Sequence, residues 1–343
     1  MKALITGGSG YFGSLLVNRL ITKGWECRVL DINEFNGSGK VEFIEGDIRD
    51  ISLLTKACKS VDVVFHNVAQ VPLAKNKHLF EKVNINGTVN ILNAALKCGV
   101  NKVVYTSSSA VYGIPSSNPV TEDMTPNPKE DYGKAKYIAE KKCLDFISDK
   151  LDIIIIRPRT ILGHGRLGIF QILFEWIKSG KNIPVLGNGN NIYQFIHADD
   201  LADAIILSAA PNIKSGIFNC GADKYGSMRD ALENLCKYAD SGSIVKGVPN
   251  ALATFGMNLA SSMGLSPLGD YHALMYGRDM YFDITKAKTQ LSWKPKFSND
   301  EMFKESYDWY CQNRNNILND VSKGSPHQSL VKEGALSVLK RFL

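Results

Sequence analysis

MKALITGGSGYFGSLLVNRL, residues 1–20, decides the reading of this chain. A short apolar strand ends at Thr6, three glycines follow at 7, 10 and 13, and the apolar residues then recur at helical spacing. Each glycine has its own duty. Gly7 makes the tight turn out of the strand, Gly10 lets backbone N–H groups approach a pyrophosphate, and Gly13 lets helix and strand pack closely. A second strand, CRVLD, ends at Asp31, eighteen residues after Gly13 and near the spacing at which a carboxylate grips a ribose 2′-hydroxyl. The other reading of Asp31 is a turn carboxylate at a strand end. Strand, glycine turn, helix and acid together predict a dinucleotide site, with Gly7, Gly10, Tyr11, Phe12 and Gly13 at the phosphates. Asp31 would repel a 2′-phosphate, and Ile32, Asn33 and Glu34 supply no cation to hold one, so the expected cofactor is NAD rather than NADP.

Working outward, strand-like runs recur at residues 2–6, 26–31, 41–46, 61–66, 102–107 and 152–157, with helical spacing at 11–23, 51–59, 79–98 and 132–147. The alternation predicts an α/β fold: a Rossmann-type doubly wound parallel sheet with a smaller mixed C-terminal substrate-binding lobe. Continuous apolar strands such as DIIIIR suit a sheet covered on both faces. Residues 1–158 form the NAD-binding domain in this reading, with return segments at about 190–222, where 199–210 is a helix and 216–220 a strand. Residues 159–189 and 223–312 make the lobe. Its apolar stretch at 251–275 is placed at the cleft, because ligands of open α/β sheets bind beyond the carboxyl ends of the strands; a second apolar core is the alternative. Residues 313–343 read as a polar linker and an amphipathic helix, with Val331, Ala335, Val338 and Phe342 on one face. That face suits docking on its own domain or a partner subunit, or peripheral contact with a membrane.

Composition narrows the function classes. The chain is 44% hydrophobic and 22% charged, as an ordinary globular protein is, and its net charge of +6 is spread rather than gathered, so nucleic-acid binding is not expected. No signal-peptide pattern and no apolar run of membrane-spanning length is visible, so a cytoplasmic location is expected. The seven cysteines and six histidines fall in no metal-ligand spacing, and no metal is expected.

The chemistry is carried by Tyr132 and Lys136, four apart and therefore on one face of the predicted helix. A phenol of pKa about 10 is a poor base at neutral pH; lowering it by roughly 3 units needs about 4 kcal/mol, which an adjacent ammonium and a cationic nicotinamide supply together. Tyr132 is then the general base for alcohol oxidation and the acid for carbonyl reduction. Ser108, at the carboxyl end of the fifth strand, faces the same crevice and can hydrogen-bond the reacting oxygen.

TGGSGYFG, the Asp47-Ile48 pair of GDIRD, SSSAVYG, Tyr132-x-x-x-Lys136 and RPRTILG together resemble the extended short-chain dehydrogenase/reductases, the NAD-dependent epimerase/dehydratase superfamily, from residue 1 to about 310. The resemblance implies a catalytic trio of Ser108, Tyr132 and Lys136. It also implies that Asp47, Ile48, Ala69 and Lys136 join the glycine loop and Asp31 around NAD, and that the chain forms a homodimer through a helix bundle. Ser109 and Ala110 stand where dehydratases of the family carry an acid pair, which disfavours dehydration. Tyr193 stands where many of its nucleotide-sugar epimerases carry a diphosphate arginine; Arg159, Arg166 or Arg278 are the candidates to serve instead, and Arg278 is the expected substrate residue. Three functions stay open: nucleotide-sugar C4 epimerisation, net dehydrogenation of the 3β-hydroxysteroid or sterol type, and non-catalytic NAD binding.

Overall fold

A computed structural model describes residues 1–71, 78–166, 169–249 and 275–319 of the chain. At its centre is a seven-stranded sheet of β1 (Lys2–Thr6), β2 (Glu26–Asp31), β3 (Glu42–Glu45), β4 (Val63–His66), β5 (Lys102–Thr106), β6 (Asp152–Pro158) and β7 (Gly216–Cys220). Its order is β7-β6-β5-β4-β1-β2-β3, with every pairing parallel. The expected return strand at 216–220 is β7, on the edge beside β6.

Alternate residues of each strand feed two cores. Ala3, Ile5, Val29, Phe65 and Ile154 pack on one face, under α1 (Tyr11–Thr22) and α6 (Ala198–Ser208). Leu4, Leu30, Val64, Val103 and Ile153 pack on the other, under α2 (Ile51–Ala57), α3 (Gly87–Lys97) and α4 (Asp131–Asp145). Both faces are thus apolar, which is why the strands read as unbroken hydrophobic runs. On α1, Leu16, Val17 and Leu20 have no exposed surface, each burial contributing about 1.5–3 kcal/mol. The helix expected over 79–98 divides: residues 80–86 take wider π-type turns, and the α-helical part begins at Gly87. Inside those turns the Asn84 side chain accepts from the Gln70 N–H and donates to its carbonyl, tying the helix to the chain leaving β4.

Beyond β6, three two-stranded ribbons extend the fold: Thr160–Leu162 with Phe195–His197, Ile183–Leu186 with Val245–Val248, and Ile192–Tyr193 with Gly226–Ser227. With them go α5 (Ile169–Lys178), α7 (Met228–Ala239), α8 (Thr285–Gln290) and α9 (Asn299–Asn319). One expectation needs correction: residues 313–319, read as the start of a polar linker, continue α9. Arg314 forms two 2.8 Å hydrogen bonds with Glu175 of α5, and Ile317 is buried, so tertiary contacts hold a stretch that composition alone assigns to a loop. The apolar segment 251–275, but for Met275, and the amphipathic C-terminal helix lie outside the described residues.

Another strap reaches α9 from the first half of the lobe. Glu305 accepts hydrogen bonds from His197, which is buried, and from His164 at 3.3 Å. Nδ1 of His197 accepts the Asp199 N–H at the start of α6, so Nε2 carries the proton given to Glu305. Both nitrogens of His197 are thereby engaged within the protein.

Candidate active site

Strand order reverses between β1 and β4, and the register places Thr6 between Leu30 and His66. The residues that follow these three, Gly7, Asp31 and Asn67, therefore gather at one edge, where open α/β sheets bind ligands. A cavity of about 510 Å³ opens there, within the usual range for small-molecule and cofactor sites.

The glycine loop has the tight turn at Gly7 and the close packing at Gly13 that its spacing predicts. Gly7 has φ +74°, a left-handed backbone that disfavours any side chain. A Cβ on Gly13 would stand 2.0 Å from the Gly7 carbonyl oxygen, so only glycine lets α1 begin this close to the loop. No side chain caps α1 at Gly10, which leaves its first N–H groups and the positive end of its dipole directed at the cavity. Asp31 takes the turn role among its sequence readings: one carboxylate oxygen accepts the Asn33 N–H and the other the Ser9 N–H, each at 3.0 Å. That fixes the carboxylate at the cavity wall. Arg49, a cation that the spacing did not reveal, lines the same wall, but it is held by Asp47 in a bidentate pair at 2.5 and 2.8 Å. An uncapped helix start, a glycine cradle and a fixed acid suit a pyrophosphate and an unphosphorylated ribose, so the residues present fit NAD.

At the other end, α4 delivers Tyr132 and Lys136. Glu130 caps this helix, accepting the N–H groups of Tyr132 and Gly133 at 2.7 Å. Gly133 lets it approach closely, for a Cβ there would meet the Ala110 carbonyl oxygen at 2.5 Å. The segment thus gripped follows Ser108, whose Oγ accepts the Ala110 N–H. Deeper along the helix, buried Glu140 accepts both arms of Arg157 from β6, and the Ser107 hydroxyl donates to the same carboxylate. Helix α4 is therefore pinned against the ends of β5 and β6.

Lys136 is almost fully buried, lies 4.6 Å over the ring of Tyr105, and donates to the Thr106 carbonyl at 2.8 Å. Burial pulls its ammonium down to about 8. Tyr132 is half-buried and rests edge-on against Phe80 at 6.2 Å. Thr106 donates in turn to Asn67 at 2.6 Å, joining the ends of β4 and β5.

Gly7, Gly10, Tyr11, Phe12, Gly13, Asp31, Asp47, Ile48, Ala69, Ser108, Tyr132 and Lys136 all line this one cavity. Arg278 is exposed and is not among the lining residues. Tyr193 is fully buried beneath the guanidinium of Arg159, 4.6 Å away. Arg159 lines the cavity and donates to Ser109 at 3.0 Å, so a cation covers the position where the sequence lacks one.

A Rossmann sheet with a dinucleotide cradle and a Tyr–Lys pair on one cavity defines an NAD-dependent enzyme. The chain belongs to the NAD dependent epimerase/dehydratase family, whose model matches residues 3–221. It is 50% identical to an uncharacterized protein of Sinorhizobium fredii, over 98% of this chain and 85% of that one. It is 30% identical to a putative UDP-glucose 4-epimerase of Methanocaldococcus jannaschii, over 90% and 98%. A mouse sterol-4-alpha-carboxylate 3-dehydrogenase, decarboxylating, is 32% identical over 61% of this chain and 59% of that one. Among solved structures, UDP-glucose 4-epimerase with UDP-glucose from Thermotoga maritima superposes with a TM-score of 0.73 at 25% identity, covering 92% of this chain and 100% of that one.

Proposed function

We propose that the chain is a nucleotide-sugar C4 epimerase whose catalytic residues are Ser108, Tyr132 and Lys136. The observation that carries this reading is the opening of Tyr132, with Lys136 one turn behind it, onto the same cavity as the glycine loop. Bound NAD supplies a reversible hydride acceptor, cradled by the glycine loop and Asp31. Tyr132 takes the proton of the C4 hydroxyl and later returns it. The Lys136 ammonium stabilises the phenolate, and the Ser108 hydroxyl donates to the reacting oxygen. Because the hydride is given back to the opposite face of C4 and the proton to its oxygen, the net change is inversion at C4 with no cofactor consumed.

Supporting the epimerase over the sterol-type dehydrogenase is the extent of likeness: 90% of this chain against the archaeal epimerase relative, 61% against the sterol enzyme. The homodimer is part of the proposal. Leu96 on α3 and Ile138 and Leu144 on α4 are exposed and offer apolar surface for a helix bundle between two copies. To test the reading, the purified protein is given UDP-sugars, and separately 3β-hydroxysteroids, with and without added NAD. Inversion of a UDP-sugar without NADH accumulation is expected; accumulation of NADH with an oxidised steroid overturns it.

A further inference from the structure

The cavity holds a cation that the proposed chemistry leaves unused. Arg166 lines it in the loop after Thr160–Leu162, with its guanidinium 5.5 Å from the ring centre of Tyr11. Its Nε and Nη1 are buried and make no hydrogen bond, and among the described residues no carboxylate pairs with it. The other cavity cations each have a side-chain hydrogen bond: Arg49 to Asp47, Lys136 to the Thr106 carbonyl, and Arg159, whose Nη1 donates to Ser109 and whose guanidinium lies against the rings of Tyr193 and Phe282 although its Nε and Nη2 are buried without a hydrogen bond. Burial lowers the pKa of Arg166, and the groups that oppose this are the phenols of Tyr11, Tyr276 and Tyr132. A desolvated guanidinium without a counter-ion is costly unless a ligand brings the negative charge.

We propose that Arg166 is a specificity residue that receives a carboxylate at C5 of the sugar, so that the preferred substrate is a nucleotide-linked hexuronate. The inference rests on the C4-epimerase reading. In that reading Tyr132 addresses the oxygen on C4, and Arg166 lines the same cavity as Tyr132. A carboxylate on C5 stands on the neighbouring ring atom, whereas the nucleotide's diphosphate leaves from C1 across the ring. The guanidinium fork matches a carboxylate in bidentate fashion, and the match is lost with a neutral hydroxymethyl group. A phosphate shares that chemistry, and because Tyr11 belongs to the glycine loop, the cofactor's own pyrophosphate is the competing source.

The experiment compares kcat/KM for UDP-glucuronate and UDP-glucose in the wild-type protein, Arg166→Met and Arg166→Lys, with NAD affinity measured alongside. The wild type is expected to prefer the uronate. In Arg166→Met that preference falls by on the order of 100-fold, as when one partner of a buried charge pair is removed. Arg166→Lys keeps part of it, and NAD affinity is unchanged. Weaker activation of Tyr132 would lower both substrates together, so the ratio isolates the carboxylate contact. Loss of NAD affinity in Arg166→Met assigns the arginine to the cofactor and overturns the inference. Inversion of UDP-glucose with no preference for UDP-glucuronate overturns it too, while leaving C4 epimerisation standing; turnover of neither sugar overturns both.

Discussion

Tyr132 gains its chemistry from its neighbours. A free phenol is mostly protonated at neutral pH, and the Lys136 ammonium one helical turn away favours its anion. Tyr132→Phe keeps the ring contact with Phe80 and removes the proton acceptor, so kcat should fall roughly 10²- to 10⁴-fold with NAD affinity unchanged. Survival of near-normal turnover would reassign the base. Burial, which takes the ammonium down to about 8, sets the pH dependence. Its charge is present below that pH and lost above it, so kcat/KM should decline on the alkaline side of about pH 8. At this scale much was legible in the sequence. Gly7, Gly10, Gly13 and Asp31 act through local backbone geometry, and spacing records local geometry. Arg166 is visible in the sequence only as one of several arginines, because its lack of a carboxylate partner among the described residues depends on how distant segments fold around it.

Two helices bring those residues into register, and each is held by a close backbone approach. At α1, Gly13→Ala would place a methyl group 2.0 Å from the Gly7 carbonyl oxygen, and neither backbone can yield without moving the loop. We expect a loss of NAD affinity of at least tenfold together with a lowered urea midpoint, in line with overpacking costs of about 1–3 kcal/mol. An unchanged affinity would show that the loop does not carry the cofactor. Helices α1 and α4 announced themselves by periodicity and by the motifs at their starts. The last turns of α9 did not. Their polar residues look like a linker, and only the Arg314–Glu175 pair and buried Ile317, both dependent on α5 and its surroundings, make them helical. The π-type turns at 80–86 were hidden likewise, since the Asn84–Gln70 contact that accompanies them spans 14 residues.

Across the whole molecule, sheet and lobe elements meet in the strap of His164, His197 and Glu305. The hydrogen bond that His164 donates to Glu305 raises the pKa of His164; on Glu305, burial is outweighed by the bonds from His164 and His197, which bring it down to about 2. A raised histidine contributes stability that is full below about pH 6.5 and is lost as the pH climbs through its folded value. A depressed carboxylate contributes above about pH 4.5 and loses that contribution as the pH falls toward 2. The strap is accordingly strongest between about pH 4.5 and 6.5. The urea-midpoint gap between wild type and Glu305→Gln should be widest there and narrow by pH 9; a gap independent of pH would mean that the charge on His164 plays no part. The same molecular frame aligns the glycine loop with Tyr132 on one cavity, and the central claim is that a hydride leaves and returns within it. The measurement that tests this most directly uses UDP-glucose and UDP-glucuronate deuterated at C4, incubated with the purified protein and no added NAD. The account predicts the C4 epimer with deuterium retained at C4 and no NADH released. Deuterium appearing in released NADH, with an oxidised sugar as product, would contradict it.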